Sequence, residues 1–61
     1  MANLTEKELS ALQDLLSAEE LNVKKFNLLS DAASDPLLKQ KFSAIAQQHQ
    51  RHYTTLYSHL N

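Results

Sequence analysis

Pro36 is the one proline in this chain of 61 residues, and glycine does not occur at all. Proline removes a backbone donor, clashes with the turn before it and pushes its predecessor out of the α region. A helix therefore stops short of position 36 or begins on it. Without glycine, few positions take a positive φ cheaply. That leaves little suited to tight β-hairpin turns or to phosphate-cradling loops. Ser34-Asp35-Pro36 reads as a helix start, with Asp35 at the N-cap and Pro36 at the first helical position. The chain is thus two long segments joined by a very short connection.

The first segment opens on Thr5-Glu6-Lys7-Glu8. This is a capping box, in which the Thr5 hydroxyl accepts from the Glu8 N–H and the Glu8 carboxylate accepts from the Thr5 N–H. Leu4 and Leu9 occupy the two positions of a hydrophobic staple, and Glu6 and Glu8 put negative charge at the positive helix end. Apolar residues then recur in alternating steps of three and four at Leu9, Leu12, Leu16, Val23, Phe26 and Ala33, with Leu15 and Leu29 on one flank. The second segment repeats the pattern with Leu38, Phe42, Ile45, His49, His52 and Leu56, flanked by Ala46, Tyr53 and Leu60. No β-alternation or low-complexity stretch interrupts either. The reading is an all-α fold, one helical-hairpin domain over residues 1–61, with a helix over about 6–32, a turn at 33–35 and a helix over about 36–59. Each helix is roughly 37 Å long at 1.5 Å per residue, and so short a link makes them fold back antiparallel.

A chain this short sits at the edge of what a private core can stabilise, and cysteine is absent, so disulfides and thiolate metal sites are not available to it. Two helices alone bury only the strip where they meet, whereas the apolar stripes here are broad. A second layer is needed. A two-fold homodimer supplies it, because the same face meets itself and completes a four-helix bundle. Docking on a different helical protein is the other way to cover that face.

The informative positions are polar residues where the seam calls for apolar ones. Glu19 and Ser30 break the first seam; His49 and His52 break the second, three apart and hence on one helix face. Folding the hairpin about Ser34 places Glu19 fifteen residues before the turn and His49 fifteen after it, so Glu19, His49 and His52 share one level near mid-length. A carboxylate and two imidazoles converging inside a bundle suit a divalent transition metal such as zinc, iron, manganese or nickel. The same residues also make a buried polar layer, with Glu19 accepting from a histidine, that fixes register and oligomer state. Because histidine changes charge near physiological pH, the buried polar layer implies pH sensitivity.

Other features carry less. Leu21 and Leu28 lie seven apart on the nominal outer face, as scattered surface leucines or as a second contact surface for higher assembly. Tyr53 and Tyr57 pack at the rim with their hydroxyls in water. Glu20 and Lys24 form a surface pair. His59 favours the negative helix end. Lys24, Lys25, Lys39, Lys41 and Arg51 are spread out and the formal net charge is −1, so a polyanion site and nucleic-acid binding are not expected. No apolar run approaches a membrane span. The N-terminus, Met1-Ala2-Asn3-Leu4-Thr5, has no basic region followed by an apolar run, so a soluble cytoplasmic protein is expected. Enzyme signatures are missing: His49-Gln50-Arg51-His52 is not the His-Glu-x-x-His zinc motif, and no serine has a His–Asp context.

Glu19-Glu20 followed by Lys24-Lys25-Phe26, a turn with Asp35-Pro36, and then Ile45-Ala46-Gln47-Gln48-His49-Gln50-Arg51-His52-Tyr53 resembles the ferritin-like superfamily. The similarity is greatest to its small spore coat protein F-like branch from endospore-forming bacteria, and it spans roughly residues 5–60. The resemblance matches Glu19 to the family's first metal-site glutamate, Phe26 to the aromatic seven residues on, and His52 to the histidine of its Glu-x-x-His motif. His49 stands where that motif has glutamate. A dimer would therefore offer two carboxylates and four imidazoles, where the family's di-iron site has four carboxylates and two imidazoles. The coat-protein branch implies a structural role with no catalysis, a location in the spore coat and other coat proteins as partners.

Overall fold

The computed structural model describes residues 3–60. Met1 and Ala2, part of the N-terminus read above as lacking a leader, lie outside them. The chain folds as two helices, α1 (Glu6–Ala32) and α2 (Pro36–Tyr57), with a closing 3-10 turn at Ser58–Leu60. The helices pack against each other as a hairpin.

The capping box at the start of α1 is formed: the Glu8 N–H donates to Thr5 Oγ1 at 3.0 Å and the Thr5 N–H donates to Glu8 Oε1 at 2.9 Å. The Thr5 N–H above all, and the Thr5 hydroxyl after it, stabilise the charged carboxylate and hold Glu8 below the usual carboxylate range. At the other end, the Ala33 N–H reaches the Leu29 carbonyl at 3.0 Å and Ala33 itself turns extended, φ −70° and ψ 131°. Asp35 then caps α2, its Oδ1 accepting from the Leu37 N–H at 2.9 Å, with Pro36 in the first turn. Among the described residues no backbone takes a positive φ, so the chain reverses without the left-handed residue that glycine usually supplies.

Near the turn the helices are tied twice. Ser30 Oγ donates to the Lys39 carbonyl at 2.9 Å, and Lys39 Nζ donates back to the Ser30 carbonyl at 2.7 Å. The same ammonium lies 3.5 Å from the Asp31 carbonyl, so it serves the carbonyls that the end of α1 leaves unpaired. Ser30 therefore interrupts the seam as a buried, bonded residue. One level further on, Phe26 and Phe42 meet with ring centroids 6.1 Å apart, each eight residues from Ser34.

The hydrophobic core is small. Among the described residues only Leu12, Leu16 and Ala46 are buried apolar side chains. Ala46, placed on a flank by the periodicity, is the most enclosed at 3% exposure; a methyl side chain at the crossing lets the helix axes come close. Leu38, a seam position by periodicity, is exposed, as are the flanking Leu15 and Leu29. The cause is the overall shape, 46 × 15 × 10 Å. A helix with its side chains is about 10–12 Å across, so the hairpin is one layer thick and has no second layer to cover its broad faces.

The C-terminal end departs from the helix read over about 36–59. The α-helix stops at Tyr57 and the last residues tighten. Ser58 Oγ donates to the Thr55 carbonyl at 2.6 Å, and the Ser58 N–H is shared between the carbonyls of Thr54 and Leu56. Such bonds compress the last turn of many helices. No helix among the described residues is long and apolar enough to cross a membrane.

Candidate functional site

The register set by the turn decides what meets at mid-length. Glu19 projects from α1 toward His49 and His52 on α2. His49 Nδ1 lies 2.6 Å from Glu19 Oε1, and His52 Nδ1 lies 3.0 Å from Glu19 Oε2. Each oxygen of one carboxylate thus faces a different imidazole. The His49 contact has hydrogen-bond geometry; the His52 contact is an ion-pair distance only.

The surroundings grade from enclosed to open across the three residues. The Glu19 side chain is 15% exposed, that of His49 23% and that of His52 51%. His49 is held further by its ring, stacked on Phe26 with centroids 5.6 Å apart and planes 15° from parallel. His52 meets His49 edge to face, 5.9 Å between centroids. Phe26 thus links the aromatic level to the polar one.

Glu19 sits below the usual carboxylate range. The leading cause is the hydrogen bond from His49, which outweighs the opposing effect of desolvation. The charges of His49 and His52 pull the same way, and Asn22, one turn along α1, adds the smallest contribution. An ionised carboxylate only accepts. The hydrogen bond therefore requires His49 to carry a proton on Nδ1, which leaves Nε2 as its uncommitted ring nitrogen.

One donor atom from each of Glu19, His49 and His52 falls in a group spanning no more than 4.8 Å. The set is one carboxylate and two imidazoles, which suits zinc, nickel, copper or iron better than a hard oxygen-seeking cation. It does not fit the carboxylate-bridged di-iron centre of the ferritin-like family: His49 supplies nitrogen where that centre needs a bridging oxygen.

Counting outward from Ser34 places these three residues together. It does not reveal Lys39, which the scattered basic residues made look solvated, nor Asn22. Lys39 acts through its own carbonyl and through the carbonyls at the end of α1, partners that carry no side-chain signature. Tyr53 and Tyr57 stack on each other with centroids 6.0 Å apart. Among them, Tyr53 lines a shallow groove with Glu20, Val23, Lys24 and Gln50.

No family model matches the chain, and no match to it is found among the curated proteins or the solved structures.

Proposed function

We propose that this chain is a non-enzymatic assembly module that works as a homodimer, two hairpins closing face to face into a four-helix bundle. The observation that carries the reading is the single-layer hairpin itself. It buries only Leu12, Leu16 and Ala46 among the apolar side chains described, while Leu9, Leu15, Leu29 and Leu38 stay exposed along the seams and their flank. Burying such side chains is the main source of stability open to a chain without disulfides. A second copy offers the same stripe in complementary orientation. The polar level then recurs on the partner and sets the register, because a charge set against an apolar level would be costly. The resemblance to the coat F-like branch of ferritin-like proteins agrees with a structural role, in a spore coat among other coat proteins.

Light scattering at micromolar concentration tests this. A mass of twice the chain is expected; a folded monomer would sink the dimer. The cluster of three donors within 4.8 Å favours a second reading, in which the same dimer holds a divalent transition metal at Glu19, His49 and His52. Metal analysis by mass spectrometry, with His52→Ala as control, decides it: metal in the parent protein and none in the variant supports the reading.

A further inference from the structure

We infer that the metal-binding atoms of this level are imidazole nitrogens alone, with Glu19 as the carboxylate that orients His49, and that the centre is a four-histidine site formed by His49 and His52 of two copies. The inference rests on the dimer reading above and narrows the metal reading, moving Glu19 from ligand to orienting group.

Three observations lead to it. The first is the Glu19–His49 contact. At 2.6 Å with hydrogen-bond geometry, it commits Glu19 Oε1 and His49 Nδ1 to each other. Direct ligation of one ion by both atoms would break this bond and demand the other tautomer of His49. Ligation through Nε2 keeps the bond, and a carboxylate behind an imidazole fixes the ring and raises its basicity as a ligand. Phe26, stacked on the ring at 5.6 Å, restrains it further.

The second is that the Nε2 of His49 is uncommitted. No buried polar side-chain atom among the described residues lacks a partner, and the bond recorded for His49 is on Nδ1. Its other nitrogen has no protein partner and is therefore not fully enclosed. The third is His52. Its side chain is 51% exposed, and it lacks the hydrogen bond that fixes His49. It can turn either nitrogen toward an ion on the open side of the level.

One hairpin thus supplies two imidazoles on an unprotected face. Two donors do not close a tetrahedral site, and a structural zinc-type centre takes four. The hairpin has no second layer from which to draw the others, so they come from a second copy lying on the same face. The stoichiometry follows as one ion per two chains. The composition, four imidazoles with no carboxylate in the coordination sphere, favours zinc, cobalt, nickel or copper.

The test is a cobalt(II) titration of the full chain, followed by visible absorption and by sedimentation mass, on the parent and on Glu19→Gln, His49→Ala and His52→Ala. Glutamine keeps an oxygen that accepts from His49 Nδ1–H but is a poor ligand. Expected are saturation at one cobalt per two chains with the intense band of a tetrahedral ion, and the same stoichiometry and band in Glu19→Gln with affinity down about 10- to 100-fold. His52→Ala, at a half-exposed position that leaves the fold intact, should lose the band. Loss of the band or a new band shape in Glu19→Gln would make Glu19 a ligand and overturn the assignment. One cobalt per chain with no change of mass would place the centre inside a single hairpin and overturn it too. A dimer that takes no cobalt removes the centre and leaves the dimer standing, whereas a monomer at every cobalt concentration removes both.

Discussion

The two helices are joined by polar bonds at two levels, and the levels are built from different materials. Near the turn, Ser30 and Lys39 exchange hydrogen bonds with each other's backbone carbonyls at 2.9 and 2.7 Å. At mid-length, Glu19 meets His49 and His52 at 2.6 and 3.0 Å, side chain to side chain. A carbonyl has no protonation state to lose, so the clamp at the turn is indifferent to acid at its acceptors. The mid-length level depends on an ionised carboxylate and on the tautomer of an imidazole. The first arrangement suits fixed architecture. The second can answer to its surroundings, which is why it is the level worth testing for a ligand.

The comparison can be broken most sharply through the apolar residue beside the polar level. Leu16, buried and one turn before Glu19, should cost about 2–3 kcal/mol on truncation to alanine, the lower part of the range for leucine cores because the layer is thin. Urea unfolding followed by circular dichroism reads this. Leu28→Ala, near the clamp and exposed on the outer face away from the seams, should cost clearly less; equal losses would mean that the two levels do not differ in how much packing supports them.

Next in size is the clamp itself. Ser30→Ala removes the hydroxyl that bonds the Lys39 carbonyl and should lower stability by about 1 kcal/mol, by the same amount at pH 4 and pH 7. A loss confined to one pH would contradict a clamp built on carbonyls.

Smaller again is the acid dependence of the polar level. Glu19 is held below its ordinary value of 4.5, chiefly by the His49 hydrogen bond. Its folded pKa is depressed, so its contribution is complete above that ordinary value and is lost as pH falls through the lower folded value. The metal-free protein should therefore lose stability on acidification below about pH 4.5, and Glu19→Gln should flatten part of that slope. Glu8, held low by its bonds with Thr5, contributes in the same window, and Glu8→Gln serves to subtract it. A slope unchanged in Glu19→Gln would show that the carboxylate gains nothing from its histidines.

The smallest effect belongs to a link of a third kind. Glu20 and Lys24 pair at 3.3 Å on the surface, with both side chains more than half exposed. Glu20→Gln should change the urea midpoint by no more than about 0.5 kcal/mol equivalent. A larger loss would mean that exposed pairs matter here as much as the two inner levels.

Much of the hairpin is legible in the residues because its signals are local. Thr5 and Glu8 announce the start of α1, and Asp35 with Pro36 the start of α2. The shared level of Glu19 and His49 then follows from equal distances to Ser34. What is not legible depends on three-dimensional detail with no spacing of its own. Ser30 is visible as a gap in the seam, but its partner is a backbone carbonyl. Ala46 is the most enclosed residue, yet a small side chain gives a weak signal in a hydrophobic pattern. Which histidine donates the hydrogen bond to Glu19 depends on ring rotation, and here the stacking of His49 on Phe26 accompanies the choice. The early end of α2 comes from the Ser58 hydroxyl folding back on Thr55.

The two levels also differ in how much chain must be gathered to form them. The Ser30–Lys39 bonds close a loop of 9 residues and the Glu19–His49 bond closes one of 30. Loop-closure entropy grows as the logarithm of length, so the longer loop costs about 1 kcal/mol more when each closes independently. Loop closure is therefore cheapest in entropy when contacts form from Asp35–Pro36 outward. The polar level lies further from the turn than the clamp and the phenylalanine pair, so less chain need be released to part it from the free ends. A ligand held at that level, or a second copy laid across it, would bind the hairpin shut from the far side.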